Sequence, residues 1–370
     1  MEDKKVRSIT LTITHSCNLN CSYCYEKHKN SKRMTFDTAI NIVEKELNDE
    51  SNLTYDYVEI DFFGGEPLLE FELIKDIVDY VKAKKYKNKY VFFATTNGTI
   101  LTEEMKLWFA KNRDQIVLGL SLDGTREMHN TNRSNSYDKI DVDFYAKYYS
   151  DQGVKMTISP ETLPSLAEGV IHCNQLGFKV FANLAYDIDW SNKINKQILE
   201  EQLKKLVDYY IANKNQYYCS MLDIERLFGV GENNGEIIRT CGAGWTMRAY
   251  DYDGELYPCQ HFLPISIGEE KAKQSKTLKF ERNISEEDHL DVECRKCIFV
   301  NTCPNCYGSN FSSTGNMHSR DLNFCTLIKI QYMACSYYVL KMYENNLLDL
   351  EDPKNISILN SAIIVNELMD

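Results

Sequence analysis

Between residues 8 and 214 the chain alternates β-branched or apolar runs with amphipathic segments, and this rhythm restricts the fold more than any other feature. Runs at 8–14 (SITLTIT), 57–63, 89–95, 115–122, 154–159 and 178–186 read as strands. Between and after them, segments 35–49, 70–85, 102–112, 141–152, 164–177 and 195–214 carry apolar residues at helical spacing. Thr35 or Asp37 and Thr102 stand where N-caps belong. Six β/α units in series imply parallel strands joined by right-handed crossovers, hence an α/β sheet or partial barrel. Such folds carry their chemistry on loops at the C-terminal strand ends. After about residue 215 the rhythm stops and cysteine-bearing loops take over, until a helix resumes near Leu322. A boundary is expected near 210–235, around the loop at 229–236.

The first of those strand-end loops reads CNLNCSYCYEK (17–27), with thiols at Cys17, Cys21 and Cys24. The chain has 13 cysteines and no export signal, and an odd number fits a disulfide framework poorly. Three are in this loop, Cys173 and Cys219 are scattered, and eight fall between Cys241 and Cys335, so two separate metal-binding regions are expected. A [4Fe–4S] cluster usually takes four thiolates, and three leave one iron open to a non-protein ligand. Two other readings stand beside it: a zinc site completed by His15 or His28, and three unrelated cysteines. Cys173 and Cys335 lie on apolar helix faces and read as core.

A net charge of -12 argues against a partner bound through a phosphate backbone, so no nucleic acid is expected. No run reaches the roughly 18 apolar residues of a membrane span, and a cytoplasmic protein without membrane attachment is expected.

Other strand ends carry polar or glycine-rich motifs in order: GGEP (64–67), TTNGT (95–99), SLDG (121–124) and, further on, HNTNR (129–133). GGEP alone also describes an ordinary turn, and Arg133 alone a solvated loop arginine. Together with the CxxxCxxC loop, whose aromatic is Tyr23, they make the chain resemble the radical SAM superfamily. The resemblance implies a partial (β/α)6 TIM-like barrel over 1–215 and a loop cluster on Cys17, Cys21 and Cys24. Its open iron would chelate S-adenosylmethionine (SAM), which one electron cleaves to a 5′-deoxyadenosyl radical that takes hydrogen from the substrate. SAM contacts are expected at Tyr23, Gly64, Gly65, Glu66, Asn97, Ser121, Asp123 and Arg133. Glu66 would face the methionine ammonium, Ser121 and Asp123 the ribose, and Arg133 the carboxylate.

In the second half, Cys241, Gly254 and Cys259 are followed by Cys294, Cys297, Cys303, Cys306 and Cys325. This is similar to the SPASM extension of that superfamily, expected over 216–340 with a helical tail at 341–370. The family pattern implies two auxiliary [4Fe–4S] clusters, one on Cys241, Cys259 and Cys306, the other on Cys294, Cys297, Cys303 and Cys325. The match departs at Cys303-Pro304-Asn305-Cys306, where two residues intervene instead of three. The first set is one thiolate short, leaving an iron open to a substrate thiolate or supplied by Cys219. A zinc ribbon on Cys294–Cys306 is the alternative.

Enzymes of this kind act mostly on ribosomally made peptides. The expected function is a radical SAM peptide maturase that installs a thioether or carbon–carbon crosslink. The alternatives are an anaerobic sulfatase maturase that makes formylglycine, a peptide epimerase, and an iron–sulfur scaffold without SAM chemistry. Sulfatase maturases place a catalytic Asp directly after the second SPASM cysteine; here that residue is Gln260, an amide that cannot act as a base. Gln260 and His261 are candidates for the substrate channel. The first strand starts so early that no leader-binding domain is expected before it. The expected partners are a precursor peptide and an electron donor such as flavodoxin or ferredoxin.

Overall fold

The computed structural model describes residues 4–231, 237–238, 241–280, 283–284 and 292–369. The boundary loop expected at 229–236 therefore lies partly outside the described residues. In chain order the strands and α-helices are β1 (Val6–Thr14), α1 (Phe36–Asn48), β2 (Tyr57–Gly64), α2 (Phe71–Lys82), β3 (Tyr90–Thr96), α3 (Glu103–Lys111), β4 (Ile116–Ser121), α4 (Arg126–Asn132) and α5 (Val142–Tyr149). They continue as β5 (Val154–Ile158), α6 (Leu166–Gln175), β6 (Val180–Leu184), α7 (Ile194–Ala212), β7 (Ile237–Ile238), β8 (Met247–Tyr250), β9 (Leu256–Tyr257), α8 (Pro264–Ile267) and α9 (Glu269–Ser275). The last are β10 (Asn283–Ile284), α10 (Val292–Arg295), α11 (Tyr307–Thr314), α12 (Leu322–Glu344) and α13 (Pro353–Met369).

The chain divides into two compact units. The first comprises Met1–Ser121, Arg133–Gly153 and Gly242–Phe280. Its strands β1 to β4 pair in parallel, with Ile9 opposite Ile60, Ile60 opposite Phe92, and Phe92 opposite Ile116. These four residues are fully buried and form a row through the core, with the Phe62 and Phe92 rings stacked 5.4 Å apart. Burial alternates along β2, the period-2 signature of a pleated strand. Helix α1 starts where Thr35 accepts from the Thr38 amide, and α3 where Thr102 accepts from the Met105 amide. Helix α2 buries Ile74, Ile77, Val78 and Val81 at the i, i+3, i+4, i+7 spacing of one face.

Strand β8 adds in parallel to the other side of β1, and β9 turns back antiparallel on β8. Neither strand was expected from the sequence, because four and two residues are too few to show a period. The pairing of β1 with β2 slips between Thr12 and Thr14, a bulge at the end that leads into the cysteine loop.

The second unit comprises Leu122–Asn132, Val154–Cys241 and Glu281–Asp370. Strands β5 and β6 pair in parallel, and the Leu122 amide donates to the Lys155 carbonyl on β5. Helix α7 buries Leu199, Leu203, Leu206, Val207 and Tyr210, and α12 buries Cys335, Tyr338 and Val339. Cys173 and Cys335 are both fully buried. Helix α4 covers residues to which the sequence reading assigned no element. It is a single short helix of polar residues (REMHNTN), held by Met128, His129 and Asn132 turning inward, so tertiary burial outweighs its weak propensity.

Candidate functional site

The loop that leaves β1 is closed at its base before any cysteine is placed. The His15 amide donates to the Lys32 carbonyl and the Met34 amide to the Ile13 carbonyl. His15 is fully buried, with Nε2 2.6 Å from Asp251 Oδ1 and Nδ1 3.1 Å from the Asn30 side-chain amide. Asn30 also donates to the His28 carbonyl and accepts from the Lys32 amide, which fixes its amide orientation. Its N–H therefore points at His15 Nδ1, so Nε2 carries the proton and donates to Asp251. That pairing occupies His15 and removes it as a zinc ligand, while His28 packs against Gly268.

The top of the loop is tied to neighbouring strand ends. Asn18 donates to Thr99 at 2.8 Å and accepts from the Asn97 side chain at 2.9 Å. The Asn20 amide donates to Ser134 Oγ at 3.1 Å. Within this frame the Leu19 amide donates to Cys17 Sγ at 3.5 Å, and the Lys29 charge bears electrostatically on Cys24 and Cys17. Burial pushes the Cys17 thiol up to about 11, against the pull of the Leu19 N–H and Lys29. Glu26 is buried beside them; burial pushes its carboxyl up to about 8, with Lys29 opposing. Arg133, buried at the start of the segment after α4, lies with its guanidinium 5.4 Å from the centre of the Tyr23 ring. Tyr25 stacks on His261 at 4.2 Å, so the His261 candidate is held against the loop.

The glycines of GGEP approach this loop closely. A Cβ on Gly64, whose φ is +141°, would sit 1.9 Å from the Thr14 carbonyl oxygen. On Gly65 it would sit 2.3 Å from the Ser16 oxygen and 2.9 Å from Cys17 Cβ. Glu66 is 1 % exposed. It accepts from Thr96 Oγ1 at 2.7 Å, the Asn97 amide at 2.8 Å and the Leu68 amide at 3.0 Å. Burial pushes its pKa up, while those donors and the Arg133 charge oppose the shift. Ser121 is buried at the end of β4. Thus the first unit contains Tyr23, Gly64, Gly65, Glu66, Asn97, Ser121 and Arg133, together with the three loop thiols.

Asp123 belongs to the second unit and is fully buried. Its Oδ1 accepts from the Thr157 amide at 2.9 Å and its Oδ2 from Asn132 at 3.3 Å, while its own amide donates to His129 Nδ1. Gln260, in the first unit, has its Oε1 shielded from solvent with no donor among the described residues.

In the second unit, Cys297 and Cys325 bear electrostatically on Cys303, and Arg320 donates to Cys303 while its charge also bears on Cys325 and Cys294. Cys241 likewise bears on Cys306, whose thiol burial pushes up to about 11 and whose Sγ accepts from the Ser309 amide. Cys259 is buried and lies in the first unit. Cys219 is buried among Tyr210, Cys173 and Cys335.

Among the described residues no three His, Cys, Asp or Glu side chains are drawn together as ligands of a single ion. The donor chemistry is instead thiols grouped on two stretches of chain, each beside a cation: Lys29 for the loop, Arg320 for the second set. Thiol donors with N–H groups or cations against sulfur suit iron–sulfur clusters. Neither cation stood out in the sequence: Lys29 sits in a charged run (KHKNSKR), and Arg320 is a single arginine in a loop. Asp251 gave no signal either.

The family model described as "Radical SAM superfamily" matches residues 11–148. An uncharacterized protein of Methanocaldococcus jannaschii is 32% identical over 60% of this chain and 81% of its own length. A cysteine-type anaerobic sulfatase-maturating enzyme of Clostridium novyi is 24% identical over 80% of this chain and 87% of its own. The antilisterial bacteriocin subtilosin biosynthesis protein AlbA of Bacillus subtilis is 24% identical over 86% and 70%. Among solved structures, anSMEcpe with bound AdoMet superposes with a TM-score of 0.67 at 19% identity, covering 96% of this chain and 98% of that one. Streptococcus suis SuiB bound to precursor peptide SuiA gives 0.57 at 15% identity, covering 86% and 76%. The α/β fold with its parallel sheet is thus that of these enzymes, and the chain belongs to the radical SAM superfamily.

Proposed function

We propose that this enzyme is a cytoplasmic peptide maturase that crosslinks a ribosomally made precursor. In this reading residues 1–215 hold SAM, 216–340 hold two auxiliary [4Fe–4S] clusters, and 341–370 form a helical tail. Cys17, Cys21 and Cys24 would hold the loop cluster, which together with SAM would supply radical hydrogen-atom abstraction from the substrate. The chain's own residues do the rest. The Leu19 N–H and the Lys29 charge stabilise thiolates on the loop. Gly64 and Gly65 let the backbone approach it. Tyr23, Asn97, Ser121 and Arg133 orient SAM, with Glu66 setting the strand ends that carry them. Asp123 is assigned to the ribose side only through the neighbours it fixes, since its carboxylate is enclosed. By the family resemblance Cys241, Cys259 and Cys306 would be ligands of one auxiliary cluster, which would supply a binding point for a substrate thiolate, and flavodoxin or ferredoxin would supply electrons. No helix among the described residues is long and apolar enough to cross a membrane.

One observation carries the choice of crosslinking over formylglycine formation. Gln260 directly follows Cys259, where the resemblance puts the catalytic Asp of sulfatase maturases, and its buried Oε1 has no donor among the described residues. An amide there binds an N–H or O–H of the substrate but takes no proton. The sulfatase-maturase reading is the second, favoured by the Clostridium novyi relative matching over most of both chains.

The test is anaerobic incubation with SAM, dithionite and a cysteine-bearing peptide encoded beside the gene. The expected products are 5′-deoxyadenosine and a peptide lighter by two hydrogens per bond formed. The combined Cys17→Ala, Cys21→Ala, Cys24→Ala variant should form neither. Formylglycine on a sulfatase peptide, with no crosslinked product, would favour the second reading; no 5′-deoxyadenosine with any substrate would refute both.

A further inference from the structure

Arg320 stands on the loop between α11 and α12, one residue before the N-cap Asp321. Its guanidinium spreads across the short Cys303–Cys306 loop. Nη1 is 2.8 Å from Cys303 Sγ, Nη2 is 3.0 Å from the Pro304 carbonyl oxygen, and Nε is 3.3 Å from Asn305 Oδ1. Asn305 Oδ1 also accepts from Asn310 at 2.9 Å, which ties the same loop to α11. The planar fork has one orientation that satisfies all three acceptors, so the N–H against sulfur is held in place. The loop it braces is the one that is a residue shorter than the family spacing. Besides its bond to Cys303, the Arg320 charge bears electrostatically on Cys325 at the start of α12 and on Cys294 on α10, two more thiols of the same set.

We infer that Arg320 raises the reduction potential of the cluster bound by Cys294, Cys297, Cys303 and Cys325, as a positioning residue that holds an N–H and a fixed positive charge on Cys303 sulfur. This rests on the auxiliary-cluster reading above. Reduction adds negative charge that spreads onto the ligand sulfurs. A hydrogen bond and a permanent cation at one sulfur stabilise that reduced state, because outer-shell hydrogen bonds and net charge set the potentials of such clusters. Arginine stays charged at every relevant pH, so the effect does not titrate away.

The experiment is an EPR-monitored redox titration of the reconstituted full chain carrying Cys17→Ala, Cys21→Ala and Cys24→Ala, which removes the loop cluster's signal. The signal of interest is assigned as the one lost on adding Cys325→Ala. Arg320→Gln keeps a donor and loses the charge; Arg320→Lys keeps the charge and loses the fork. With iron retained, the glutamine variant should lower the reduced-to-oxidised ratio at fixed potential at least tenfold, about 59 mV for a one-electron couple. The lysine variant should fall between it and the parent. An unchanged midpoint with full iron overturns the inference. So does loss of that cluster's iron from both variants, which makes Arg320 a clasp for assembly alone. If neither iron content nor any signal depends on Cys325, the auxiliary-cluster reading itself has failed, a result visible before Arg320 is touched.

Discussion

Asp123 and Glu66 are buried carboxylates that accept from protein donors, the Thr157 amide and Asn132 for Asp123, and Thr96 with the Asn97 and Leu68 amides for Glu66. Their residue types suit ligand binding, and the same carboxylates also tie neighbouring segments together through these bonds. Asp123→Ala would leave the Thr157 amide without its partner in a solvent-free site. The expected cost is about 1–3 kcal/mol, read from the urea midpoint, whereas Asp123→Asn keeps an acceptor and should lose less. A variant of normal stability that fails to bind SAM would make Asp123 a direct ligand instead. His15 shows the same logic. Its two ring nitrogens are spoken for by Asn30 and Asp251, so a histidine two residues from a cysteine motif serves to anchor the loop rather than to bind metal.

At the scale of elements, the cysteine loop depends on two strands ending side by side. The bulge at the end of β1 and the glycines at the end of β2 let the Thr14 and Ser16 carbonyls come within reach of the Gly65 and Glu66 amides. A methyl group on Gly64 would collide with backbone, which no rotamer change relieves. Gly177, with φ +90° and nothing within 4 Å of its Cβ position, isolates the conformational strain alone, roughly 1–2 kcal/mol. Gly64→Ala should therefore lose clearly more stability than Gly177→Ala and also release iron from the loop. Equal losses in denaturant titrations, with iron retained in both, would defeat the close-approach argument. Most helices and strands were legible because a period of 3.6 or 2 and a cap at position zero are local properties. Helix α4, β8 and β9 were not, since short polar or two-residue segments are fixed by the partners they meet.

For the whole molecule, the sharpest expectation concerns iron. Three four-iron clusters require about 12 irons per chain, and removing Cys17, Cys21 and Cys24 together should leave about 8. Replacing Cys294, Cys297, Cys303 and Cys325 by Ala should likewise remove about four. Iron assay with Mössbauer spectroscopy distinguishes these cases, and a parent protein holding about 8 would eliminate one auxiliary site.

By itself the sequence determined the alternation of strands and helices, the place of the first thiol loop after β1, and the order of motifs along the strand ends. Each of these is written in residues a few positions apart. Only the tertiary structure decided that His15 is bound to Asp251, 236 residues away, that Glu66 is enclosed by Thr96 and Asn97, and that Arg320 is laid on Cys303. Such pairings have no period and no spacing rule. They exist because folding closes long loops and then requires every buried polar group to find a partner.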